Sequence, residues 1–337
     1  MTAPKKMRPN QHPFAPVASL ANLRERAKLL RELRAFFDDR GFIEVETPIV
    51  AREIIPELHI EPMRTTDGEF LQASPELHMK RLLAAGETAI YQVTRSFRAG
   101  ERGRLHNPEF TIVEWYRVGD DMKAGIDLLD ELCQTLLATP PAVRTSYADA
   151  FRRTVGVEPH VASVDDLAAA ARDANVVLPS GMQLENRDEW LNLLLATRVE
   201  PQLGANQTEI IYHYPASQAS LATVTTTAGY DVSERFELYY RGIELANGFH
   251  ELTDAAELRR RFEAVNATRL ADGRMALPVP DSLLAALEYG LPSCSGCALG
   301  FDRLAILALG ANSIEDVQAF HSRWGHSSSN RHVANLL

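Results

Sequence analysis

Two β-forming runs, AIYQVTRSF (89–97) and FTIVEWYRV (110–118), lie on either side of a loop crowded with arginine, histidine and asparagine. Both runs are rich in aromatic and β-branched residues, and their spacing predicts an antiparallel hairpin with an unusually long connection. Such a hairpin needs neighbouring strands and a helical layer to bury its apolar side chains. Further strands are readable. ERFELYYRGIELANGFHEL (234–252) alternates around a turn at Arg241–Gly242, and FIEVETPIV (42–50) alternates until it meets Pro48. SGCALGFDRLAILALG (295–310) is a glycine-punctuated strand entering an apolar helix.

Helical signals lie between these strands. Leu23, Ala27, Leu30, Leu33 and Phe37 recur at spacings of four and three, with Ser19 as N-cap and Gly41 as stop. EFLQASPELHMKRLLAAG predicts a short strand, then a helix capped by Ser74, with Pro75 in its first turn and Gly86 at its end. Residues 121–200 read as mostly helical and devoid of chemistry, and a charged helix covers 254–271. The expected fold is α+β, an antiparallel sheet flanked by helices. It forms one domain over 17–322, with a flexible arm (1–16) and a loose tail (323–337).

A net charge of −10 argues against nonspecific nucleic-acid binding, which needs surplus Lys and Arg, but leaves a local basic site open. Three cysteines (Cys133, Cys294, Cys297) make no disulfide framework, and Cys294-Ser-Gly-Cys297 lacks the second pair or histidines of a zinc site. With no secretory signal and no apolar run of membrane-spanning length, the expected location is the cytoplasm.

Four constellations could carry chemistry. Arg98, Arg102 and Arg104, followed by His106, Asn107 and Phe110, could grip phosphates beneath a stacked base, or form a solvated surface loop. Glu237 and Glu244, on neighbouring strands, could share a hard cation such as Mg²⁺, or simply face solvent. Asn247, Phe249 and Glu251 alternate along one strand. With Glu76, Glu114 and Tyr116 they could line an acidic pocket for an amine, or serve as structural ion-pair partners. In GCALGFDR, the glycines could admit a ligand close to the backbone, with Arg303 at the helix start, or reflect packing alone.

Taken together, these segments resemble the three signature motifs of class II aminoacyl-tRNA synthetases. FFDDRGFIEVETPIV resembles the dimer-forming motif 1, FRAGERGRLHNPEFTIVEWYR motif 2 and GCALGFDRL motif 3, in the right order over about 20–320. HNPEFT, SPEL and ANGFHEL are similar to the lysine-specific branch, although the stretch before motif 1 leaves no room for an anticodon-reading OB-fold domain. VEWYR, YPASQASLA, GIELANGFHELTD and SGCALGFDRL are similar to the elongation factor P–(R)-β-lysine ligase family.

The resemblance implies an AMP-forming ligase using ATP and Mg²⁺, with (R)-β-lysine or lysine as small substrate and elongation factor P as acceptor. It also implies a homodimer, and neither tRNA nor a membrane as partner. The alternatives are a truncated lysyl-tRNA synthetase charging tRNA and a non-catalytic, synthetase-like regulator. By the same resemblance, Arg98 and Arg303 would be the catalytic groups. ATP would meet Arg98, Gly100, Glu101, His106, Asn107, Phe110, Glu244, Leu245, Gly300 and Arg303. The amino acid would meet Ser74, Glu76, Glu114, Tyr116, Asn247, Phe249, Glu251 and Ala298, and Mg²⁺ would be held by Glu237 and Glu244. Two positions depart from the synthetase pattern: Gly100 stands where a glutamate is usual, with Glu101 one place later, and Ala298 replaces a glycine.

Overall fold

The computed structural model describes residues 14–320. The tail expected at 323–337 and all but the last three residues of the arm lie outside that range. The elements run α1 (Leu20–Asp38), β1 (Ile43–Glu44), β2 (Val50–Ala51), β3 (Phe70–Leu71), α2 (Glu76–Ala84), β4 (Ala89–Phe97), β5 (Glu109–Val118) and α3 (Met122–Leu137). Next come β6 (Val143–Ser146), α4 (Tyr147–Val155), α5 (Val164–Asp173), α6 (Arg187–Leu194), β7 (Glu209–Pro215), β8 (Val224–Thr227), β9 (Tyr230–Tyr240) and β10 (Ile243–His250). The last are α7 (Ala255–Ala271), α8 (Asp281–Gly290), β11 (Cys294–Gly300) and α9 (Phe301–Ala308).

One sheet organises the molecule, in the order β1-β4-β5-β11-β10-β9-β7-β6, with β8 paired to β9. The 89–118 hairpin forms as expected, Ala89 facing Arg117 and Phe97 facing Glu109. At the β9–β10 turn, Arg241 and Gly242 both take positive φ (53° and 69°), the pairing demanded by a tight hairpin whose twist matches its strands. The sheet is mixed rather than purely antiparallel, because β1 joins β4 and β6 joins β7 in parallel at its two edges.

Two expectations change. The alternating run 42–50 gives only the two-residue β1, because Thr47 and Pro48 carry the chain away before β2 pairs separately with β3. In α1 the buried face is Leu29, Leu33, Phe36 and Phe37 rather than one running from Leu23 through Ala27. Its N-terminal half instead turns Arg26 inward, to Asp302 (2.5 Å) and over the ring of Phe301.

Alternation along the central strands gives the sheet two distinct faces. Val113, Trp115, Phe236, Leu238, Cys297 and Leu299 pack on α1, α3 and α9, where Phe37 stacks on Tyr91 at 4.7 Å. Full burial of such side chains stabilises by about 1.5–3 kcal/mol each. Cys294 belongs to the cluster on the opposite face, so the CxxC thiols diverge across the strand. A separate cluster centred on Tyr147, Phe151, Trp190 and Leu191 makes a helical lobe beside β7.

Candidate active site

The face away from α1 and α3 carries the polar residues. Register places Gln92, Glu114, Ala298, Asn247 and Glu237 in one transverse row across five adjacent strands. The next row holds Tyr116, Gly296, Phe249 and Arg235. Directly opposed side chains on one face lie within about 5.5 Å at Cβ, so residues from distant parts of the chain become neighbours. A cleft of about 1350 Å³ opens over these rows. Ser74, Glu76, Arg98, Glu101, His106, Asn107, Phe110, Glu244, Leu245, Asn247, Phe249, Ala298, Gly300 and Arg303 all line it.

At one end of the cleft the sheet builds an acidic pocket. Glu114 is buried and accepts hydrogen bonds from Ser74 Oγ and Tyr116 Oη, both at 2.6 Å. Burial, reinforced by nearby Glu76, pushes its carboxyl up to about 8. Glu76 opens α2; Ser74 accepts from its backbone N–H (3.1 Å), although the helix begins at Glu76 with Pro75 in the capping place. Glu251 lies just past β10, almost fully buried behind the cleft wall, and burial lifts its carboxyl to about 7. Gly296 makes this arrangement possible. A Cβ there would stand 2.2 Å from the Tyr116 ring and 2.4 Å from Glu251 Oε1. The buried Oδ1 of Asn247, a residue that lines the cleft, finds no hydrogen-bond partner among the described residues.

At the other end, the Arg98 guanidinium lies 5.0 Å over the Phe110 ring and 3.6 Å from Glu101. Arg303, on the first turn of α9, donates to the Glu244 backbone carbonyl (2.9 Å) and to His106 Nε2. Burial and the neighbouring Arg303 lower the His106 pKa, so the ring is neutral and accepts from the guanidinium. Arg102 and Arg104 face outward; Arg104 holds the Asn312 carbonyl. Only Arg98 of the loop arginines therefore reaches the cleft. Asn107 spends its amide on Glu109 and Gln318, fixing the loop. Gly100 takes φ +80°, which suits the turn, whereas a methyl at Gly300 would meet only Arg303 at an ordinary 3.7 Å.

The expected cation pair divides. Glu244 lines the cleft, its pKa raised by burial and by Glu237. Glu237 sits behind the lining, held by the hydroxyls of Tyr214 and Tyr239 and by Arg235 (2.5 Å each). Glu200 lies at the end of the lobe read as empty of chemistry, yet it lines the cleft. Burial and then Glu237 and Glu244 push its carboxyl up to about 7. Glu244 and Glu200 thus line the cleft with Glu237 behind them, carboxylate oxygens of the kind a hard cation takes, although among the described residues no three such side chains converge closely enough to hold a metal ion by themselves.

Sequence reasoning also passed over Lys80, Arg235 and Glu57. Lys80 is readable as the i+4 partner of Glu76, and Arg235 as two residues before Glu237 on one strand face. Glu57 sits in the irregular segment 52–62, where no periodicity marks it; it lines the cleft, and burial lifts its carboxyl to about 7. That segment is held by Arg269 of α7, completely buried, which donates to the carbonyls of Glu57 (3.1 Å) and Ile60 (3.3 Å) and to Glu61 (2.8 Å). The Glu61 carbonyl in turn accepts from Ala99 N–H, tying the arginine loop to the segment.

Residues 17–323 match the family of class II tRNA synthetases (D, K and N). The chain belongs to that family. Curated relatives from Salmonella paratyphi B, Salmonella schwarzengrund and Salmonella arizonae are each 48% identical over 316 residues, covering 91% of this chain and 97% of the relative. All three are named elongation factor P–(R)-β-lysine ligase. Within this family the mixed sheet and its helical backing carry an ATP-dependent ligase activity, and the chain is an enzyme of that kind. Among the described residues, no helix is long and apolar enough to cross a membrane.

Proposed function

We propose that the chain activates (R)-β-lysine with ATP and transfers it to a lysine side chain of elongation factor P. The observation that carries this reading is that Ser74, Glu76, Asn247 and Ala298, with Glu114 buried just behind them, line the same cleft as Arg98, Phe110 and Arg303. Carboxylates at one end suit the ammonium groups of a diamino acid; arginines at the other suit phosphates.

In this reading the amino-acid carboxylate attacks the α-phosphorus of ATP, forming the acyl–phosphate bond as the bond to pyrophosphate breaks. Little proton transfer is needed. What the step requires is alignment and neutralisation of charge growing on the phosphate oxygens, which Arg98 supplies from the loop and Arg303 from α9. Phe110 offers its ring to the adenine, and Glu101 and Gly100 shape the turn beside it. Glu244 and Glu200, with Glu237 behind, would hold Mg²⁺, which when bound shields the phosphate oxygens. The ε-amine of the acceptor, after losing a proton, then attacks the activated carbonyl and AMP leaves. Ala298 adds a methyl between Glu114 and Asn247, which reshapes the pocket in favour of the β-amino isomer.

The reading extends to a cytoplasmic homodimer, with the exposed Ile43, Ile49 and Val50 suited to a contact between copies. The test is ATP–pyrophosphate exchange with α-lysine and with (R)-β-lysine, followed by transfer to purified elongation factor P or to tRNA. Exchange with β-lysine and transfer to the protein are expected. Transfer to tRNA alone would overturn the protein-ligase reading, and no exchange with either lysine would overturn the enzyme reading altogether.

A further inference from the structure

Behind the acidic pocket lies a cation that the proposed chemistry does not use. Lys80, on α2, is 1% exposed, does not line the cleft, and places Nζ 2.5 Å from Glu76 Oε1 and 2.6 Å from Glu251 Oε2. An ammonium buried this deeply is tolerated only when carboxylates surround it, and those carboxylates are equally dependent on the ammonium. Glu76 is the member of the trio that reaches the cleft. Its orientation is therefore set from behind, by a bond to Lys80, while Glu251 anchors Lys80 from the far side.

Counting charges sharpens the point. Glu76, Glu114 and Glu251 crowd one buried volume with a single internal cation. Without Lys80, mutual repulsion would favour taking up protons over staying ionised. With Lys80 in place, and with the Glu114 carboxyl at about 8 still holding its proton at neutral pH, Glu76 and Glu251 together remain one positive charge short. An incoming ammonium supplies that charge, but it meets the outer face of Glu76, because the position between Glu76 and Glu251 is already filled.

We propose that Lys80 is a positioning residue for the amino-acid site: it holds Glu76 aimed into the cleft, and closes the base of the pocket so that the substrate's ammonium stops at a fixed depth. This rests on the lysine-activating reading above. The groups facing the trio are Glu57 in the 52–62 segment, Glu114 and Tyr116 on β5, His250 on β10 and Cys294 on β11. Burial pulls the Lys80 pKa down, but Glu251 and Glu76 more than offset this and raise it, so the ammonium stays charged across the working range. The Glu251 carboxyl sits at about 7 with Lys80 present, and loss of that cation moves it higher.

The experiment is steady-state ATP–pyrophosphate exchange with (R)-β-lysine across pH 6–9, for the wild-type chain, Lys80→Met and Lys80→Arg, with KM determined separately for lysine and ATP. For Lys80→Met the expected result is a lysine KM raised about ten-fold or more at pH 7. Its ATP KM stays within about two-fold, and the acid limb of the lysine KM profile moves to higher pH by roughly one unit. Lys80→Arg should recover part of the loss.

An unchanged lysine KM and pH limb in a folded Lys80→Met chain would overturn the proposal, as would equal losses for ATP and lysine, the sign of a merely structural part. Should Lys80→Met not fold, the double variant Lys80→Met/Glu251→Gln removes the buried pair together. It should fold, with a raised lysine KM from which the Glu251-dependent limb is gone; a wild-type lysine KM in that variant would sink the idea. Absence of exchange in the wild-type chain would strike the proposed function itself, a separate result.

Discussion

At the amine end of the cleft the charged groups are paired before any ligand arrives: Lys80 bridges Glu76 and Glu251, and Ser74 and Tyr116 donate to Glu114. At the other end the ion pairs are long, although Arg303 is also fixed by the Glu244 carbonyl and His106. Arg98 reaches Glu101 only at 3.6 Å, Arg303 reaches the Glu244 carboxylate at 3.4 Å, and both side chains stay about a quarter exposed. The ligands proposed above would account for the contrast. A small diamino acid must be told apart from close isomers, which needs fixed acceptors. In the proposed reaction negative charge shifts onto the leaving pyrophosphate, and Arg98, held by a long ion pair, can still reorient to follow it.

If the ends are independent, damage at one should leave the other's KM unchanged. Arg98→Ala should have the largest effect, lowering pyrophosphate exchange by about 10²–10³-fold while calorimetric lysine affinity changes little. A parallel loss of lysine affinity would erase the division. Glu76→Gln should raise the lysine KM by about ten- to a hundred-fold, the scale of one charge-assisted hydrogen bond, with the ATP KM nearly unchanged. Phe110→Ala should raise the ATP KM by roughly ten-fold, within the range of one lost base-stacking contact; an unaltered value would mean that the ring stays committed to Arg98.

Titration sharpens the comparison further. Glu114 (about 8), Glu251, Glu57 and Glu200 (about 7) all stand above their ordinary 4.5. These carboxyls make the folded chain bind more protons than the unfolded one. Five histidines whose pKa is lowered by burial (His59, His78, His106, His160, His213) act the other way below about 6.5, so the fall in stability with rising pH belongs to the range from about 7 to 8. The ligand-free melting temperature is expected to drop over that range, and lysine binding at pH 7 should release protons, seen as a buffer-dependent calorimetric enthalpy. Equal enthalpies in phosphate and Tris would refute this. The smallest effect is expected from Ala298→Gly, a few-fold gain in the use of α-lysine relative to (R)-β-lysine by exchange; unchanged selectivity would remove that methyl from the argument.

Much of this was legible in the residues. The 89–118 and 234–250 hairpins announce themselves because side-chain alternation and turn residues are local signals. Less legible was everything fixed by pairing across the sheet. β6 is a four-residue parallel edge strand inside a helical stretch, and no pattern in VRTS foretells it. Glu237 reads on spacing as the equal of Glu244, yet two tyrosines and Arg235 hold it behind the wall. Glu200 and Glu57 reach the cleft from segments without periodicity, so only tertiary structure brings them there.

Arg269 adds a different kind of dependence. The segment 52–62 has almost no ladder of its own and borrows much of its shape from donors more than two hundred residues downstream, Arg269 at Glu57, Ile60 and Glu61, Arg274 at Leu58 and Ser282 at Glu53. It then passes that shape to the arginine loop through Glu61 and Ala99. A span built this way has few fastenings, all from one distant stretch of chain. Insertions along it are tolerable wherever they leave the carbonyls of Glu57 and Ile60 within reach of Arg269, whereas a change at that arginine frees three of its anchor points at once.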